Sequence, residues 1–222
     1  NEIIKEVDKT IEEIRETLPK GLEIVDLMST KDFLDASIKN VIKTLFEAIL
    51  LVILVVYVFL QSLRSTIIPT ISIIVSLVGT FAFLMIAGFS LNMITLFALV
   101  LVIGTVVDDS IVVVEAVQAK FDEGYKSAYK ASVDAMGGIA TALLATTFVF
   151  MAVFIPVSFM GGTTGTFYTQ FGLTMAVAVG ISLLNSLTLS PALCALIMTP
   201  HAETKPGEKA SFSSRFHKAF DA

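Results

Sequence analysis

The 222-residue chain has no tryptophan, one cysteine and two histidines, and no lysine, arginine or histidine falls between Arg64 and Lys120. A single cysteine, Cys194, excludes an internal disulfide and a thiolate metal cluster. It reads as a small apolar residue in a helix. Both histidines, His201 and His217, lie in a polar tail, so the apolar part has no imidazole to ligate a metal or shuttle a proton. No metal site or cofactor is expected. A net charge of -5 without any basic block excludes nucleic acid as a partner. The chain starts Asn-Glu-Ile-Ile, without an initiator Met or the charged, apolar and cleavable regions of a signal peptide, and is expected to be a piece of a larger protein. What fills the chain instead is apolar surface, 55% of its residues, and a water-soluble fold is not expected.

A bilayer core requires roughly 20 apolar residues per helix. Five stretches reach that length: Thr44 to Leu63, Thr66 to Ile86, Met93 to Ala116, Ile139 to Phe159 and Gly172 to Met198. Five crossings put the two ends of the chain on opposite sides. Arg64, Lys120, Lys126, Lys130, Lys205, Lys209, Arg215 and Lys218 fall on the side of the C-terminus, whereas the opposite loops, Ala87 to Asn92 and Gly161 to Phe171, carry no basic residue. The excess of cations assigns that side to the cytoplasm. Seven basic residues precede Thr44, but they sit among ten acidic ones in a segment expected to be the end of an exported domain, and long segments cross largely regardless of charge.

In that first segment Ile4, Val7, Ile11, Ile14 and Leu18 recur at helical spacing and predict an amphipathic helix stopped by Pro19 and Gly21. Leu22 to Met28 is expected to form a short strand, so that residues 1–31 are an α/β remnant too small to bury a core alone. From Asp32 a helical pattern runs without a breaker into the first apolar stretch, which opens a membrane domain over residues 32–200. The polar tail, residues 201–222 with Pro206 and Gly207, reads as a linker. Ser72, Ser76, Gly79 and Thr80 on the second apolar stretch, and Ala176 and Gly180 on the fifth, are small residues spaced for close helix packing. Asn185, Thr141, Thr146 and Thr147 are expected to hydrogen-bond between helices, and Pro156 and Pro191 to kink or end theirs.

Against this background "GTVVDDSIVVVE" stands out, because Asp108 and Asp109 lie well inside the third stretch. An aspartate near the centre of a membrane helix costs about 2.5–3.5 kcal/mol on insertion scales, so both carboxyls must face protein or water. Neighbours on a helix diverge by about 100°, which lets the two serve different interfaces instead of chelating one ion. Gly104 and Thr105, one turn before, leave room for a close helix or for water. A carboxyl that alternately meets and loses a cation switches between ionised and protonated forms, and adjacent groups titrate as a coupled pair. Intramembrane acids are read as functional sites. Glu47 and Glu115, within about two turns of helix ends, can snorkel to the interface and are secondary candidates. With no cation between Arg64 and Lys120, the partner of the aspartates is expected on helices that these residues do not supply.

"GTVVDDSIVVVEAV", preceded by "YVFLQSLRSTIIPTISIIVSLVGTFAFL" and followed by "FIPVSFMGGTTGTFYTQFGLTMAVAV" and "LTLSPALCALI", resembles the resistance-nodulation-division efflux transporters, in their AcrB-like hydrophobe/amphiphile branch. The likeness runs from about Pro19 to Pro200, and the double aspartate separates it from the metal-exporting branch. The resemblance implies an all-α membrane protein whose five helices are the second to sixth of one half of the transporter bundle, preceded by the last piece of a periplasmic porter domain. It implies proton-driven export of hydrophobic or amphiphilic compounds, with Asp108 and Asp109 as the acidic half of a proton relay completed by a lysine, an arginine and a threonine from the other half. It further implies a homotrimer in the bacterial inner membrane, surrounded by lipid, with a periplasmic adaptor and an outer-membrane channel as partners, the N-terminal segment periplasmic and the tail cytoplasmic.

Three other readings fit less well. An intramembrane aspartyl protease needs two carboxyls converging on one water, but Asp108 and Asp109 diverge and the other four stretches contain no aspartate. A sterol- or lipid-binding five-helix module of the same superfamily would not need the acidic pair. A channel would show a pore-lining ring of like charges, and none is apparent.

Overall fold

The computed structural model describes residues 2–19, 30–89, 92–162 and 164–199, and these form seven α-helices: α1 Glu2–Thr17, α2 Thr30–Leu60, α3 Leu63–Ile86, α4 Met93–Asp122, α5 Ala128–Val157, α6 Gly165–Leu187 and α7 Leu189–Ile197. The chain is an all-α membrane protein in which five helical segments are long and apolar enough to span a bilayer, α6 and α7 counting as one. The strand expected over Leu22 to Met28 and the tail of residues 201–222 lie outside the described residues.

Two compact units divide the chain, residues 1–43 and 44–222. The first contains α1, whose apolar positions follow the spacing of Ile11 and Ile14 and which ends two residues before Pro19. The helical pattern that begins near Asp32 continues into the apolar run with no interruption, and α2 is accordingly one helix of 31 residues. Val56 is its one buried residue among those described, while Leu50, Leu54, Val58 and Phe59 remain exposed. Gln61, at a φ of 47, turns the chain directly into α3, capped by the Ser62 side chain.

In the second unit α6 packs against α3, α4, α5 and α7, and α4 packs against α3, α5 and α7 as well. One apolar cluster joins Ile73 and Leu77 of α3 to Leu99, Val102, Ile103 and Val106 of α4 and Met175 and Ala178 of α6. A second joins Ile68, Val113, Val117 and Phe121 to Ala131, Ala135 and Leu143 of α5 and Cys194 of α7. Small residues let these helices approach. A Cβ on Gly79 would stand 3.2 Å from Ile181, and one on Gly180 would stand 2.8 Å from the Met151 methyl. Ser72 and Ser190 share a hydrogen bond of 3.0 Å, and Asn185 Nδ2 donates to Ser76 Oγ at 2.7 Å. With no hydrophobic drive between helices in lipid, contacts of this kind hold the bundle.

The turns close themselves. At the end of α3 the Gly88 N–H donates to Met85 O at 3.2 Å and the Phe89 N–H to Leu84 O at 2.9 Å. At the end of α4, Gly124 donates to Phe121 O at 2.9 Å and Tyr125 to Lys120 O at 3.2 Å. Both are Schellman ends, which need the left-handed conformation that Gly88 (φ 74) and Gly124 (φ 99) supply. Asn92 starts α4 with a capping box to Thr95, and its amide also donates to Gln170 of α6 at 2.6 Å.

Helix ends differ from the hydropathic ones wherever a helix outruns the hydrocarbon. The helix beginning near Met93 continues past Ala116 to Asp122, the next starts at Ala128 instead of Ile139, and α6 starts at Gly165 instead of Gly172. Of the four residues expected to bond between helices, Asn185 does so. Thr146 bonds back to Ala142 O and Leu143 O of its own helix, Thr141 is exposed, and the buried Thr147 hydroxyl has no partner among the described residues. In a helix a threonine hydroxyl reaches the carbonyl one turn back, which competes with any bond to a neighbour.

Candidate functional site

Asp108 and Asp109 sit near the middle of α4, with Val106, Val107 and Ser110 buried around them. Their side chains diverge as helical neighbours must. Asp109 turns toward α6, where Ser182 Oγ donates to its Oδ2 at 2.8 Å. Asp108 turns the other way, onto an exposed face of α4. Gly104 lies one turn before it on that face, and a Cβ there would meet no heavy atom within 4 Å. Leu101, Val112 and Glu115 occupy the same exposed face, so an exposed strip with an acid at its centre and a second acid two turns on runs along the outside of α4.

The supporting positions behave differently from one another. Thr105 is half-buried and its hydroxyl is taken up by Val102 O at 2.9 Å, while Ser110 donates to Val106 O at 3.3 Å. Glu47 is exposed on α2. The structure thus brings Asp108, Gly104 and Glu115 onto one face and Asp109 into a helix–helix interface. Among the described residues neither aspartate forms an ion pair, and no three acidic, cysteine or histidine side chains gather to hold a metal.

Ser182 was not singled out by sequence reasoning, because a serine in a membrane helix ordinarily marks packing. Its neighbours give the missing signal. Ser182, Ser186 and Ser190 recur every four residues, all are buried, and the column runs from Asp109 past Asn185 and Ser76 to Ser72. Ser186 Oγ has no hydrogen-bond partner among the described residues. The column crosses the joint between α6 and α7 at Thr188, whose φ of -121 and ψ of -63 leave the helix. Pro191, three residues on, lacks the N–H that would have closed the bond to Leu187 O, and its ring would clash with that carbonyl in a continuous helix. Pro156 stands one residue from the end of α5.

Chemically, the arrangement offers one carboxyl fixed by a hydroxyl within the bundle and one presented to whatever covers the outer face of α4. A model of the AcrB/AcrD/AcrF family matches residues 1–222. The chain is 42% identical over 217 residues to the multidrug export protein AcrF of Escherichia coli, covering 98% of this chain and 21% of that protein. It is 40% identical over 220 residues to the toluene efflux pump membrane transporter TtgE of Pseudomonas putida, covering 99% and 21%. The multidrug resistance protein MdtF of Escherichia coli is 44% identical over 204 residues, 90% of this chain and 20% of its own length. The chain therefore spans about a fifth of the length of the curated relatives it matches.

Proposed function

The chain belongs to the AcrB/AcrD/AcrF family, and from that premise we propose that it carries the acidic half of a proton relay driving export of hydrophobic or amphiphilic compounds. The relatives named for multidrug export, toluene efflux and solvent efflux support the substrate class. The observation that carries the relay is the pair itself: two adjacent carboxyls near the middle of an apolar, membrane-length helix, one held by Ser182 and one on an open face, with no cation among the described residues paired with either. A charged pair in that position is too costly to keep for packing alone. A lysine or arginine from elsewhere in the transporter would sit against the Asp108 face; its approach would favour the carboxylate and release the proton, and its withdrawal would let the carboxyl bind one. Gly104 leaves the clearance for it. Thr105, its hydroxyl already committed, serves as helix structure next to the pair.

The driving force suffices. One charge moved through 100 mV yields about 2.3 kcal/mol, and one pH unit adds about 1.4 kcal/mol. Together they sustain at most a few-hundredfold solute gradient per proton. In proteoliposomes holding a full-length transporter that contains this chain, an imposed pH gradient will drive uptake or release of a fluorescent amphiphile, and an ionophore that collapses the gradient will stop it. Export that persists after collapse would show that protons do not drive it. The 222-residue chain reconstituted alone will export nothing.

The same reading sets the chain in the bacterial inner membrane with its N-terminal segment periplasmic and its tail cytoplasmic, within a homotrimer that works with a periplasmic adaptor and an outer-membrane channel. Arg64 Nη1 donates to Thr199 Oγ1 at 3.1 Å, which supports the start of α3 and the end of α7 sharing one side. Cys194 is fully buried and gives a low thiol background. Glu123→Cys will react with a membrane-impermeant maleimide only from the cytoplasm, and Thr164→Cys only from the periplasm. Labelling with the sides exchanged would invert the topology.

A further inference from the structure

A groove of about 310 Å3 lies between the first turns of α5 and the middle of α7, lined by Tyr129, Ser132, Met136, Pro191 and Ala195 and bordered by Val133. Its volume is at the lower end of the roughly 300–1,000 Å3 of small-molecule sites. Its lining is apolar apart from the Tyr129 hydroxyl and Ser132, a buried residue (3% exposed) whose Oγ has no hydrogen-bond partner among the described residues. A buried hydroxyl without a partner is unfavourable, and because Ser132 Oγ has almost no accessible surface, a polar atom of an occupant at that depth meets it once the side chain rotates toward the groove. Lys126, two residues before α5, and Lys130, in its first turn, stand exposed at the same end of that helix, and neither forms an ion pair among the described residues. Asp134, the acid on the next turn, accepts a hydrogen bond from Tyr125 Oη at 2.7 Å. Tyr129, 69% exposed at the mouth, has the amphipathic ring that settles at headgroup level.

We propose that this groove is a site for an anionic phospholipid: one acyl chain lies along Met136, Pro191 and Ala195, the Ser132 hydroxyl donates to a glycerol ester carbonyl, and the phosphate rests against Lys126 and Lys130. The order of these elements along α5 supports a lipid over a free amphiphile. Lys126 and Lys130 bracket the ring of Tyr129 at the first turn, the lone hydroxyl of Ser132 follows, and the apolar wall at Met136 comes last, which is the order of headgroup, glycerol and chain in a leaflet. The site is apart from Asp108 and Asp109 and does not depend on the relay.

The test uses a purified full-length transporter containing this chain, in micelles with equal amounts of palmitoyl-oleoyl phosphatidylglycerol and phosphatidylethanolamine. A photoreactive benzoyl-phenylalanine placed at Val133 will cross-link to phosphatidylglycerol in preference to phosphatidylethanolamine. Lys126→Gln and Lys130→Gln will each reduce that yield roughly fivefold, and Ala195→Phe, which fills the groove, will remove it for both lipids. Ser132→Ala breaks no bond of the fold and will lower the yield by about two- to tenfold. Cross-linking to another segment of the transporter, equal yields for the two lipids, or a yield unchanged in Ser132→Ala and the lysine variants would each overturn the proposal.

Discussion

Replacing Asp108 or Asp109 by asparagine in a full-length transporter containing this chain will reduce gradient-driven export to the background of an empty membrane, while the protein still inserts and assembles. Asparagine keeps the volume and most of the hydrogen-bonding capacity of the side chain but cannot bind and release a proton. For Asp109 the amide oxygen can still accept from Ser182, so the contact between α4 and α6 is kept and the loss isolates the titrating group. For Asp108 the side chain faces outward, and no contact among the described helices depends on its charge. Ser182→Ala gives the graded comparison. It removes a donor worth about 0.5–1.5 kcal/mol and will lower export by about two- to tenfold without abolishing it. Measured as resistance in cells and as amphiphile efflux in vesicles, normal export by either asparagine variant would remove the relay.

The second large effect concerns assembly. Gly172, on the first turns of α6, approaches α5 so closely that a Cβ would stand 2.7 Å from Ser158 Oγ and 2.9 Å from Phe154 O. The hydroxyl can rotate away, but the carbonyl belongs to the hydrogen-bonded end of α5, where it also accepts from Ser158 N at 3.1 Å. Gly172→Ala will therefore cost about 1–3 kcal/mol, the range for forced overpacking, and Gly172→Val more. The heat-stable fraction of detergent-solubilised transporter, followed by size-exclusion after a temperature step, will fall in that order. Ser158→Ala combined with Gly172→Ala will recover part of the loss and not all of it, because the carbonyl remains. A Gly172→Val variant as heat-resistant as the parent would mean that the two helices do not meet in this way.

Much of the architecture could be read from the residues because hydrocarbon imposes a simple requirement: long apolar runs, with every backbone group bonded internally. Where the runs end is a different question. Hydropathy marks where hydrocarbon stops, while the helix stops where a cap or a glycine closes it, so α4 runs on to Asp122 and α5 begins at Ala128, with Ser127 as its cap. Pro191 signalled a discontinuity but not its place, since the carbonyl a proline disturbs lies one turn earlier and the chain breaks at Thr188. Of the candidate site, Asp108 and Asp109 could be picked out individually from the cost of a charge in lipid. The partner of Asp109 could not, because nothing in the type of residue distinguishes Ser182, which bonds a carboxylate, from Ser186, which has no partner among the described residues. That difference comes from the rotation of α6 against α4, a tertiary fact.

The glycine-closed ends of α3 and α4 bear on how the molecule is made. Each satisfies its last carbonyls with its own next two N–H groups, so neither turn waits for a residue synthesised later. As the nascent polypeptide leaves the ribosome, the hairpin from Leu63 to Asp122 can enter the bilayer as a finished pair, and Asp109 gains the hydroxyl of Ser182 only when α6 follows. What the later segments add is then lateral docking between preformed rods, the step at which glycine and serine contacts decide whether the bundle closes.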